Sequence, residues 1–313
     1  MSSRVVSLIT DGLKTSDGAG VNLTRMLPIR NGYSKPQRLD PFLMLDHIAS
    51  DDSDDYIEGF PEHGHRGFET VTYMLEGSFE HKDNKGNRGL LVPGSVQWMT
   101  AGRGIIHSEM PMQDEGKLKG FQFWINLPHK DKMMAPRYQD IMPENIPVVK
   151  EDGNAIKVLA GHYKETKGAV KDIVTKPLFL DIDLKAGVKF STDIAVGHSS
   201  FVFIISGEGT FGPDTNAKLV KESQLAVLDG SNNETRIDIT ASDKGLRFML
   251  LSAAPIGEPI CQYGPFVMCT EEEIDQLILY LFKYYIQDFC YLHHHILHLL
   301  KKTTTIVDLL ILN

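Results

Sequence analysis

Before residue 270 the chain is a succession of short runs rich in β-branched and aromatic residues, each closed by Gly, Pro, Asn or Asp. Such runs are Phe68–Leu75, Gly89–Val92, Val96–Thr100, Gly120–Leu127, Leu178–Leu184, Ser200–Ile205, Gln224–Leu228, Arg236–Thr240 and Leu246–Ser252. The turns between them carry the residues that turns need, as in Asn84-Lys85-Gly86-Asn87 and Pro213-Asp214-Thr215-Asn216. Helical periodicity is scarce over this stretch. Many short strands at close spacing predict an all-β protein built from sandwiches or barrels.

A weak internal repeat divides the chain. Tyr73-Met74-Leu75-Glu76-Gly77 runs on into Ser78-Phe79-Glu80, and Phe203-Ile204-Ile205-Ser206-Gly207 runs on into Glu208-Gly209-Thr210-Phe211. In each case a second apolar strand follows, Val96–Met99 and Leu225–Leu228. Between the halves, Pro128–Lys150 carries Pro136, Pro143 and Pro147 and reads as a partly ordered linker. The expected units are 1–130, a linker at 131–150, a second unit at 151–269, and a short helix with its tail at 270–313. A length of 313 residues suits two domains.

Thr270-Glu271-Glu272-Glu273 has the form of a helix start, a Thr cap followed by acids. Leu277–Leu300 is crowded with apolar residues, but Lys283 and Asp288 near its middle each cost about 2.5–3.5 kcal/mol in a bilayer, so no membrane span is expected. Thirty-two Lys and Arg stand against 41 Asp and Glu, a net charge of -9 with no basic run, which argues against direct nucleic-acid binding. Cys261, Cys269 and Cys290 are odd in number and predict no disulfide framework. No secretory signal is read in Met1–Thr10.

Chemistry concentrates in two segments of the first half. In Phe60-Pro61-Glu62-His63-Gly64-His65-Arg66-Gly67, alternate residues of an extended chain face one side, so His63 and His65 can present both imidazoles to one point. In Gly102-Arg103-Gly104-Ile105-Ile106-His107-Ser108-Glu109, His107 and Glu109 repeat that spacing after a flexible bend. Three neutral imidazoles and one carboxylate suit Fe, Mn, Ni, Cu or Zn. The absence of Cys argues against a structural zinc site. Glu69, four residues after His65 on the same strand parity, is a second choice for the carboxylate. His47, His81, His129, His162 and His198 stand alone and are expected to meet solvent or make a single hydrogen bond.

Four stretches resemble the pirin family. They are Asp40-Pro41-Phe42-Leu43-Met44-Leu45-Asp46 followed by the Pro61–Gly67 run, then Gln97-Trp98-Met99-Thr100-Ala101-Gly102-Arg103-Gly104-Ile105-Ile106-His107-Ser108-Glu109-Met110-Pro111, and Gly264-Pro265-Phe266-Val267-Met268. The resemblance runs from about residue 5 to about residue 278. It implies two cupin (jelly-roll) domains in tandem, with one mononuclear metal site in the first and none in the second. It also implies the ligand set His63, His65, His107 and Glu109, which is why Glu109 is preferred to Glu69. Asp193 and Ala195 stand where a second pair of histidines would be. The apolar segment Leu279–Asn313 departs from the family's polar ending.

Two functions follow from the resemblance. One is a quercetin 2,3-dioxygenase-like oxidoreductase: a divalent metal, Fe(II) foremost, activates a flavonol 3-hydroxyl, Glu109 takes its proton, and O2 opens the ring with loss of carbon monoxide. The other is an iron-binding, redox-responsive transcriptional co-regulator, in nucleus and cytoplasm, acting through transcription-factor proteins. A deep apolar opening above the metal favours catalysis, and a narrow mouth favours the partner role.

Overall fold

A computed structural model describes residues 2–29 and 39–290, the last nine of these as backbone only. Two sandwiches of antiparallel strands stand side by side. In the first, a seven-stranded sheet runs in the order Arg137–Ile141, Val96–Thr100, Phe68–Glu76, Leu118–Asn126, Phe42–Ser50, Val21–Leu27, Leu13–Asp17. A four-stranded sheet, Phe60–His65, Ile105–Pro111, Phe79–Asp83, Arg88–Leu91, completes it. The second half is one nine-stranded sheet around Ser199–Phe211 and Arg236–Ala253.

Those two strands are longer than the sequence predicts. Arg236–Thr240 and Leu246–Ser252 are the two ends of one 18-residue strand. It pairs with Lys189–Asp193 at one end and Leu178–Leu184 at the other. Register shifts between Ile204 and Ser206 and between Gly207 and Gly209 let its partner bend with it. The turns form as their residues dictate: Asp83 Oδ1 accepts from the amides of Lys85 and Asn87, and the Asn216 amide donates to the Pro213 carbonyl.

Two segments lie differently from the expected units. Val5–Thr10, expected within unit 1–130, hydrogen-bonds to Leu225–Asp229 of the second-half sheet. The linker carries two edge strands: Arg137–Ile141 joins Val96–Thr100 of the first half, and Val148–Glu151 joins Asn154–Ala160 of the second. An edge strand takes whichever unpaired edge lies within reach, and this is not written in local sequence.

The seven-stranded sheet turns one face to the second half. Tyr73, Trp98, Phe121 and Phe123 share a buried cluster there with Phe179, Phe201, Phe203 and Met249. Edge-on ring pairs mark the seam, among them Phe42–Phe201 at 5.1 Å and Phe121–Phe203 at 5.0 Å. A smaller cluster including Ile48, Phe60, Met74 and Phe79 fills the first sandwich below the histidines.

The helix Glu271–Cys290 closes the described chain. Thr270 Oγ1 accepts from the Glu273 amide, and Glu273 Oε2 accepts from the amides of Cys269 and Thr270, a reciprocal cap. Among the described residues no helix is long and apolar enough to cross a membrane. The rest of the expected divergent tail, from residue 291, lies outside the described residues.

Candidate metal centre

The two histidine-bearing segments are antiparallel neighbours. His107 stands opposite His63, and Ile105 opposite His65. Directly opposed side chains share a face, so three imidazoles converge inside the first sandwich. Ring centroids are 4.5 Å apart for His63–His107, 4.6 Å for His63–His65 and 5.0 Å for His65–His107. One nitrogen from each ring lies within 4.8 Å of the others, the one such grouping among the described residues.

The imidazoles fit a metal ion on two counts. His65 and His107 are buried; neither ring nitrogen of His107 has a hydrogen-bond partner, and His65 makes no well-formed bond beyond an approach to the Pro265 backbone. Buried polar atoms without partners are rare because each costs free energy, and coordination to an ion would satisfy one nitrogen of each ring. Burial and the facing imidazoles also hold both residues well below the usual histidine pKa, in the neutral form that ligates. His63, half-buried at the mouth, has Nδ1 2.7 Å from the Pro61 carbonyl. A carbonyl only accepts, so Nδ1 carries the proton and Nε2 keeps a free lone pair.

Glu109 is buried but stands apart from the three nitrogens. A register shift after His107 sets it opposite Phe60. Its Oε1 accepts from the Thr72 hydroxyl at 2.9 Å and its Oε2 from the Gln122 amide at 2.6 Å. Thr72 and Gln122 are opposite each other on neighbouring strands, and with Glu109, Phe60, Met74, Phe79 and Phe121 they line a small cavity with room for about one water molecule.

Glu69 does not share the parity predicted for it. Gly67, at φ +87°, breaks the extended chain between His65 and Phe68. Glu69 therefore falls on the face of Val71 and Tyr73, opposite Thr72, and accepts from the Thr100 hydroxyl at 2.7 Å. Of the solitary histidines, His47 departs from the expected solvent contact or single hydrogen bond, whereas His81 makes a single hydrogen bond. His47 is buried at the seam, 4.9 Å from both Phe121 and Phe203, and His81 is buried with Nε2 3.0 Å from Asp140. Sequence reasoning missed Thr72 and Gln122, although strand alternation pointed inward at both. It missed Trp124, whose ring lies 5.3 Å from His65, and Lys132, for which no local signal exists.

Two cupin sandwiches with a three-histidine cluster in the first define a class, the bicupins. Within that class the chain belongs to the pirin family: its Pirin model matches residues 21–125, and the model of the Pirin C-terminal cupin domain matches residues 179–281. The chain is 40% identical to human Pirin over 279 residues, 89% of this chain and 92% of that protein. It is 45% identical over 272 residues to a Pseudomonas aeruginosa protein that bears a provisional quercetin 2,3-dioxygenase name, 85% of this chain and 92% of that protein. Among solved structures, quercetin 2,3-dioxygenase from Acinetobacter baumannii is 31% identical with a TM-score of 0.79, covering 90% of this chain and 98% of that one. This kinship and the histidine cluster together imply a divalent metal.

Proposed function

We propose that the chain is a metal-dependent dioxygenase that cleaves quercetin-type flavonols with O2. The ion would be Fe(II) foremost, with Mn, Ni, Cu and Zn also suited to the donor set. The observation that carries the reading is the convergence of three imidazoles, with His65 and His107 buried. The likeness to the quercetin 2,3-dioxygenases of A. baumannii and, by name, P. aeruginosa supports it.

In this reading His63, His65 and His107 hold the ion, and Glu109 is both fourth ligand and base. The bound ion supplies Lewis acidity, which lowers the pKa of the flavonol 3-hydroxyl. Glu109 receives that proton on its carboxylate. Thr72 and Gln122 each bond one carboxylate oxygen, so Glu109 exchanges one of these hydrogen bonds to reach the ion or the proton. Phe60, Met74, Phe79 and Phe121 keep bulk water away from it. The test reconstitutes the apoprotein anaerobically with each metal in turn, adds quercetin, then admits oxygen. Flavonol absorbance should fall with at least one metal and persist in Glu109→Gln; persistence with every metal in the wild type sinks the proposal.

The cavity favours a second reading. It has room for little more than about one water molecule and none of the three histidines lines it, so it offers a flavonol no space. A narrow site suits an iron-binding co-regulator in nucleus and cytoplasm, whose Fe(II)/Fe(III) change alters the buried charge and, through it, contacts with transcription factors. Equal binding of a candidate factor by oxidised and reduced iron-loaded protein refutes it.

A further inference from the structure

Gly264-Pro265-Phe266-Val267-Met268 plays no part in the chemistry above. It forms the turn and second strand of a hairpin, Cys261–Tyr263 with Phe266–Met268, that follows the second half. The hairpin docks on the first half, against the histidine segment. The Val267 amide donates to the Arg66 carbonyl at 3.0 Å, and the Arg66 amide to the Pro265 carbonyl at 3.4 Å. The Phe266 ring lies 3.8 Å from where a Cβ on Gly64 would stand, between the two ligand histidines.

Gly67 is the tightest point. A Cβ there would lie 1.9 Å from the Val267 carbonyl oxygen. Its amide donates to the Gly102 carbonyl at 2.8 Å, in the bend that leads to His107. One residue thus joins both ligand-bearing segments to the hairpin.

Lys132 ties this point down. It is fully buried, and Nζ donates to the Gly67 carbonyl at 2.8 Å, the Val267 carbonyl at 3.0 Å and Asn126 Oδ1 at 2.6 Å. All three acceptors are neutral. Among the described residues no carboxylate forms a salt bridge with it. A buried ammonium bonded directly to neutral oxygens, with Glu258, Glu273 and Asp40 acting on it from farther off, is a costly way to gain stability, which points to a role in fixing conformation.

We propose that Lys132 is a positioning residue for the metal triad, coupling it to the hairpin at the end of the second half. The proposal rests on the reading of His63, His65 and His107 as metal ligands. Lys132 fixes the Gly67 carbonyl, and with it the angle at which the His63–His65 segment meets the bend before His107. The coupling is reciprocal: a hairpin that steadies the metal is steadied by it.

The test uses full-length protein loaded with Co(II), wild type against Lys132→Met. Competition with a chelating dye gives affinity, visible d–d absorption gives coordination geometry, and amide exchange at Arg66 and Val267 gives the coupling. Lys132→Met should bind Co(II) roughly tenfold or more weakly, as lost outer supports of metal ligands do, with displaced d–d bands. Metal should slow the two amides in the wild type and not in the variant. A purely structural role lowers stability but leaves the bands in place. Should Lys132→Met not fold, Asn126→Ala keeps the lysine and removes one acceptor, and is read by the same measurements. Affinity and bands matching the wild type overturn this inference alone. Wild-type protein that takes up no Co(II) overturns it together with the metal-centre reading.

Discussion

His107 is buried with both ring nitrogens unpartnered, so removing the ring breaks no hydrogen bond of the fold. His107→Ala should fold and lose stoichiometric metal by elemental analysis; full occupancy would rule the residue out as a ligand. His47 carries a different consequence. Burial, reinforced by the charge of Lys119, lowers its pKa to about 4 from 6.5. The unfolded chain binds the proton at the ordinary value, so between these limits it binds more protons than the folded protein. Stability is then present above about pH 6.5 and is lost as pH falls toward 4, about 3 kcal/mol in all. In His47→Leu, the urea midpoint should drop less across that window than in the wild type. A parallel drop in both proteins shows that other groups dominate.

Among the elements, the pairing of Phe60–His65 with Ile105–Pro111 makes the site. The alternation His63-Gly64-His65 was legible because a strand's period is fixed by backbone geometry. The register shift that sends Glu109 to Phe60 was not legible, since register depends on how two distant strands fit. The Gly67 break, which misplaced Glu69, follows from docking against Val267. Gly67→Ala places a Cβ in the left-handed region and against a carbonyl oxygen. It should cost about 3 kcal/mol and release the hairpin, seen as faster amide exchange at Val267. Unchanged exchange would mean that the hairpin docks independently of Gly67.

At the scale of the whole molecule, the two halves share one core and, besides Lys132, a buried polar link at Asp181. The Tyr73 hydroxyl of the first half donates to Asp181 of the second at 2.5 Å, and Arg247 donates twice to the same carboxylate. Asp181→Ala leaves a tyrosine and a partly exposed guanidinium without their acceptor. A cost of about 2–3 kcal/mol is expected, at the low end for a broken buried pair because Arg247 retains some solvent. Both tryptophans, Trp98 and Trp124, lie in the first half. Their fluorescence should nevertheless report the loss, in a transition that coincides with that of total β-structure. Separate transitions in the wild type would show that the halves unfold independently.

The sequence by itself determined the all-β character, the doubling, and the choice of three histidines, because strand period, turn chemistry and ligand type are local properties. Only the tertiary structure decided that Val5–Thr10 crosses to the far sheet, that Glu109 rests on Thr72 and Gln122, and that Lys132 sits beneath the histidine segment. Each of those depends on which surfaces meet across more than ten residues of chain, and meeting surfaces are selected by packing of the whole, not by any one segment.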